Sequence, residues 1–218
     1  MSDITETILV PLFFLQVVLG TALLSWWFLR QKDRVLKTFG LGMAGYAVGL
    51  AAWTLLVLIK PDDLQPLILA GAAPFLLAHF AYAKVAYKNI NFTKTSFLTL
   101  LVGGTIAGTF IVRTFLYPSA AYFSEQGLLF FGLHPVSIAF YIATISLTFL
   151  PAISVVSSHI QKPRLKNIMQ VGLTTLFINS IILVSGDDET LLLINGVVMT
   201  VALLALWVSA FTLRSHSR

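Results

Sequence analysis

Seven stretches of this chain run apolar for about 18–24 residues apiece, the length an α-helix needs to cross a hydrocarbon core of roughly 30 Å. They fall at Ile8–Leu29, Thr38–Ile59, Leu64–Tyr87, Thr95–Leu116, Pro135–Ser158, Ile168–Ser185 and Thr190–Leu213. In lipid only helices and closed barrels satisfy their own backbone hydrogen bonds, and these runs are far too long for barrel strands. The expected fold is therefore all-α: an integral membrane bundle of seven transmembrane helices, forming a single domain over residues 1–218. Composition points the same way. Charged residues make up 11% of the chain and hydrophobic residues 57%, whereas a soluble domain carries about a quarter charged. Ile8–Leu29 is longer than the apolar core of a secretory signal and leads into a basic loop, so it is expected to stay as the first span.

Charge placement sets the expected orientation. Arg30, Lys32, Arg34 and Lys37 follow the first span; Lys84, Lys88 and Lys94 lie at the end of the third; Lys162, Arg164 and Lys166 follow the fifth; Arg214 and Arg218 follow the seventh. Only Lys60 and Arg113 of the 14 Lys and Arg fall at the opposite face, where every acidic residue except Asp33 also lies. Basic loops stay in the cytoplasm, so the N-terminus is expected outside and the C-terminus inside. Trp26, Trp27 and Trp207 sit near the inner ends of their spans, at interface depth. The net charge of +5 follows from this asymmetry and gives no reason to expect nucleic acid. Membrane lipids are the expected partners of the basic loops.

Between the fourth and fifth spans, Tyr117–His134 contains a short extracellular β-hairpin by its pattern. Ala120–Phe123 and Leu128–Phe131 are its arms, and Gly127 supplies the positive φ that such a turn commonly uses. Small residues mark helix contacts: Gly42, Gly45, Gly49 and Ala52 share a face of the second span, and Gly104 and Gly108 a face of the fourth. Packing within the chain is the expected use of both.

Polar residues inside the spans are the candidates for function, because such groups turn toward a bundle interior. His134, Ser137, Tyr141, Thr144 and Thr148 recur at helical spacing on the fifth span, and Thr105, Thr109 and Arg113 on the fourth. Arg113, His134, Tyr141, Asn179 and Asn195 share an outward depth. If their faces converge they line an outward-facing pocket for a small ligand, with Arg113 attracting an anionic or carbonyl group. The alternative is that the hydroxyls bond their own backbone, Arg113 reaches outward along its stem, and the asparagines only join helices.

No catalytic motif is present, so no enzyme is expected, and no cofactor or metal. The absence of cysteine removes thiolate chemistry altogether. His79 lies toward the inner side without a second histidine at matching depth for haem, and the seventh span holds no lysine for a retinal Schiff base. Asp187-Asp188-Glu189 reads as a solvated outer turn.

The basic Arg30–Lys37 turn, the glycine-rich Gly40–Gly49 segment and Phe123-Ser-Glu-Gln-Gly-Leu-Leu-Phe before an aromatic fifth span carry a resemblance. In layout the chain resembles the seven-transmembrane N-terminal sensor regions of bacterial histidine kinases and diguanylate cyclases. That resemblance implies a receptor-like protein of the bacterial inner membrane, binding a small ligand. No kinase or cyclase region follows the seventh span, so a separate signalling protein is the expected partner. A small transporter or channel, or a non-catalytic subunit of a membrane complex, is the alternative.

Overall fold

A computed structural model describes residues 10–59, 65–88, 90–94, 96–117, 120–123, 129–132, 134–185 and 189–212. Seven helices occur among them: α1 (Val10–Leu29), α2 (Arg34–Ile59), α3 (Gln65–Ala86), α4 (Phe97–Ile111), α5 (Pro135–His159), α6 (Pro163–Ser185) and α7 (Glu189–Thr212). Among the described residues four segments are long and apolar enough by themselves to cross a membrane: Arg34–Leu55, Phe97–Leu116, Pro135–His159 and Ile194–Phe211. Leu15–Leu29 is a shorter apolar stretch. The chain thus has the architecture of a helical multi-pass membrane protein.

Several helices extend past the apolar runs, for local reasons. α2 starts at Arg34 rather than Thr38 because Asp33 caps it, its Oδ1 accepting from the Val35 and Leu36 backbone N–H groups at 2.6 and 3.2 Å. A side-chain oxygen there satisfies donors that the first turn leaves open. α6 starts at Pro163 rather than Ile168, since proline's fixed φ suits the first turn and its missing N–H is no loss there. α4 begins after Ser96, which accepts from the Thr99 N–H. At its far end α4 widens into a π-helical turn, Val112–Leu116, and Tyr117 N–H reaches back to the Val112 carbonyl at 2.7 Å.

Between α4 and α5, β1 (Ala120–Phe123) and β2 (Leu129–Gly132) pair antiparallel, with Ala120 opposite Gly132 and Phe123 opposite Leu129. The second arm takes in Gly132, one residue past the Leu128–Phe131 of the sequence pattern, while Leu128 lies outside the described residues. Gly127 and the rest of the turn lie outside the described residues, as do Lys60 and Asp187-Asp188.

The helices are not equivalent. α1, α2, α3, α5, α6 and α7 close a ring in that order, with α7 returning to α1, while α4 lies outside it against α3 and α5. Large apolar side chains cover the outer faces, among them Leu41, Leu77, Phe97, Val171 and Val201. A soluble bundle would put charge there; lipid accepts such a surface. Inside, Phe39 touches Phe28, Tyr82 and Phe149 ring to ring at 5.0–5.9 Å between centroids, forming an aromatic layer toward the basic end.

The α2–α3 contact depends on missing side chains. A Cβ at Gly45 would lie 2.8 Å from the Pro74 carbonyl oxygen, and one at Gly49 would strike the Phe75 ring at 2.7 Å. The second glycine pair is divided. Gly108 meets the Phe140 ring of α5, but Gly104 has no atom within 4 Å of where a Cβ would be.

Candidate ligand-binding pocket

Two small cavities lie end to end in the bundle. The first, about 20 Å³ of space open to a water's centre, is bordered by all six ring helices, through side chains such as Thr21, Tyr46, His79, Tyr141, Ser180 and Met199. The second, about 40 Å³, lies between α3, α4 and α5 and takes in Thr109, Arg113, Thr114 and Thr144. His79 and Tyr141 border both. By volume the first holds one water and the second a few.

The hydrogen bonds around them define donors and acceptors. Thr148 Oγ1 lies 2.7 Å from the Thr144 carbonyl and 2.8 Å from His79 Nδ1. The carbonyl can only accept, so the single hydroxyl hydrogen goes to it and Thr148 must accept from His79. In the neutral ring this puts the proton on Nδ1 and leaves Nε2 as an acceptor, on the side away from Thr148. Ser180 follows the same logic. Its Oγ donates to the Leu176 carbonyl at 2.8 Å and therefore accepts from the Tyr46 hydroxyl at 2.9 Å. The Tyr82 hydroxyl, on the wall of the first cavity, is buried with no partner among the described residues.

The second cavity is largely apolar, with a polar edge at Thr109, Arg113, Thr114 and Thr144. Thr109 and Thr144 meet at 2.7 Å between hydroxyls and tie α4 to α5. Thr109 also reaches the Phe140 carbonyl at 3.0 Å. Just past them the π turn carries Arg113, whose guanidinium carbon lies 5.4 Å from the centre of the Trp53 ring on α2, within range of a cation–π attraction. π turns inside helices are frequent at functional sites, because the extra residue re-aims the side chains that follow. Arg113 is half-buried in the bundle rather than extended along its surface.

The five residues singled out by depth divide into three places. Arg113 and Tyr141 border the second cavity together. His134 does not join them: it caps α5, its Nδ1 accepting from the Val136 N–H at 3.3 Å, and its ring stacks on Tyr117 at 4.0 Å. Asn179 and Asn195 also stand apart, joined between α6 and α7 by Asn195 Nδ2 donating to the Asn179 carbonyl at 3.2 Å. Residues at one depth on different helices converge only if their faces do, and spacing along one helix says nothing of its rotation against another. His79 is the residue that depth alone set aside. The signal that finds it is the Tyr141, Thr144, Thr148 stripe, whose inner member supplies its partner.

No protein-family model, no curated protein and no solved structure matches this chain. Among the described residues no three His, Asp or Glu side chains gather as a metal ion would require.

Proposed function

We propose that this is a receptor-like seven-span membrane protein that binds a small ligand between α3, α4 and α5 and acts through a separate protein. All seven helices cross the bilayer, with the N-terminus and the β1–β2 pair outside and the basic loops in the cytoplasm. The sorting of Lys and Arg supports that orientation. The observation that carries the reading is the shared wall: His79 and Tyr141 border two adjoining interior cavities, and Arg113 borders one of them.

The ligand carries a carboxylate or carbonyl for Arg113 and a hydroxyl or N–H donor for His79 Nε2. The space present admits only a few waters, so a larger ligand enters by moving α4, the helix outside the ring. That displacement gives the bound state a shape that a partner can read. The aromatic layer of Phe39, Tyr82 and Phe149 lies between the first cavity and the basic end, and favours a binding site over a through-path.

The test is thermal unfolding of the purified protein against a panel of small hydroxy and amino acids, amides and ketones. A stabilising compound is expected to lose its effect with Arg113→Gln and with Tyr141→Phe. If both variants bind every stabilising compound as tightly as wild type, the pocket is the wrong place.

A further inference from the structure

A second site lies at the basic end, independent of the interior pocket. A groove of about 320 Å³ runs between the α1–α2 connection, the α5–α6 connection and the end of α7 at Ala210. Its acidic member is already engaged. Asp33 Oδ1 accepts from Val35 and Leu36, and Oδ2 lies 2.8 Å from His159 Nδ1. The other polar groups on its wall are the ammonium groups of Lys32 and Lys162, which only donate, and the side-chain amides of Gln31 and Gln161, of which Gln31 Nε2 already donates to the Trp27 carbonyl at 2.9 Å.

Trp27 makes the groove specific. It forms part of the wall, is only 5% exposed, and its Nε1 has no hydrogen-bond partner among the described residues. An indole N–H can donate and cannot accept. Left unpaired and buried it is unfavourable, and a ligand that brings an acceptor relieves that. One turn away, Arg30 lies 3.9 Å over the Trp26 ring, the pairing of aromatic and cation found where a bundle meets lipid headgroups.

We propose that this groove binds a phosphate-bearing anion, held by Lys32 and Lys162 and by the Trp27 indole N–H. Phosphate presents acceptors in several directions, as donors converging from the α1–α2 and α5–α6 connections require. Two sources share this chemistry, an anionic lipid headgroup and a free phosphate. Basic pockets at helix ends take such headgroups more tightly than a diffuse basic surface does.

Native mass spectrometry of delipidated protein with phosphatidylglycerol or phosphatidylcholine tests it, alongside thermal unfolding with inorganic phosphate. Phosphatidylglycerol is expected to be retained over phosphatidylcholine. Lys32→Gln/Lys162→Gln should weaken the interaction about 30-fold, from about 1 kcal/mol per lysine. Trp27→Phe should weaken it about tenfold, the size of one hydrogen bond to a charged group. Lys88→Gln/Lys94→Gln, on another basic loop, should leave it within about twofold if the groove, and not general surface charge, holds the anion. Stabilisation by inorganic phosphate that the Lys32/Lys162 variant loses assigns the site to free phosphate; lipid retention without a phosphate response assigns it to a headgroup. No binding of either, an equal loss in the Lys88/Lys94 variant, or wild-type binding by Trp27→Phe overturns the proposal. Should Trp27→Phe not fold, the two lysine pairs decide between the groove and general surface charge.

Discussion

His79 and Thr148 meet 2.8 Å apart in the middle of the bundle, joining α3 to α5 through a bond whose direction the Thr144 carbonyl dictates. Thr148→Val keeps the shape and removes the acceptor. His79 Nδ1–H is then buried without a partner, and the expected loss is about 1–3 kcal/mol of stability. Nitrogen-15 NMR of histidine-labelled protein reads the same change directly: a proton on Nδ1 in wild type, and a shift of tautomer in the variant. Finding the wild-type proton on Nε2 would refute the hydrogen-bond assignment.

The glycine seam predicts a contrast between two positions with similar sequence context. Gly45→Val drives a branched side chain into the Pro74 carbonyl, which is backbone and has little freedom to yield. A loss of about 2 kcal/mol or more is expected, the scale of overpacking in a tight contact. Gly104→Ala meets open space and should be neutral or stabilising by about 0.5 kcal/mol, since alanine restricts the unfolded chain and favours helix. Thermal unfolding in detergent distinguishes them, and equal effects would mean that the α2–α3 contact is not as close as described.

How much of this was legible beforehand follows from what each feature depends on. Apolar run length reports helices without any tertiary information, so the seven helices stand near the expected spans. Helix starts moved outward at Arg34 and Pro163, because caps and first-turn prolines let a helix continue through charges that end a hydropathy run. The π turn at Val112–Leu116 leaves no mark in propensity, although it determines where Arg113 points. Shared depth grouped Arg113 with His134, Asn179 and Asn195, but rotation about each helix axis is set by neighbours and cannot be read from one helix alone. The hydroxyl stripe on α5 was the better guide. Ser137, Thr144 and Thr148 are all buried, and the two threonines join α5 to α4 and α3.

Asp33 gives a pH dependence whose sign is determined. The His159 hydrogen bond, helped by the Val35 and Leu36 N–H groups, outweighs partial burial and holds its carboxyl below the usual value. A depressed folded-state pKa means that the interactions favour the ionised form. Their contribution is therefore present above the unfolded value of about 4, begins to fall as pH drops through it, and is gone below the folded value. Asp33→Ala should lose about 1 kcal/mol at neutral pH through the cap alone. Unfolding titrations of wild type and variant should converge as pH falls below about 4. A gap that persists there would mean that Asp33 acts by some means other than its charge.

Asn179 and Asn195 provide the sharpest separation of packing from binding. Asn195 Nδ2 donates to the Asn179 carbonyl, while Asn179 Nδ2 and Asn195 Oδ1 are buried without partners among the described residues. One leftover atom is a donor and the other an acceptor, so a single water accepting from the first and donating to the second would complete both. The Asn179 acceptor is main-chain, so Asn179→Leu leaves the Asn195 bond in place, and the two side chains are coupled only through such a water. Asn195→Leu removes the bond and should lose about 1–3 kcal/mol, while Asn179→Leu keeps it and should lose less; the double variant, with no polar side chain left for a water to bridge, should lose less than the sum. Neither residue borders the two interior cavities, so any compound that stabilises wild type should stabilise the double variant by the same shift. A double variant that keeps its fold but loses that shift would restore the asparagines to the ligand site and move the pocket toward α6 and α7.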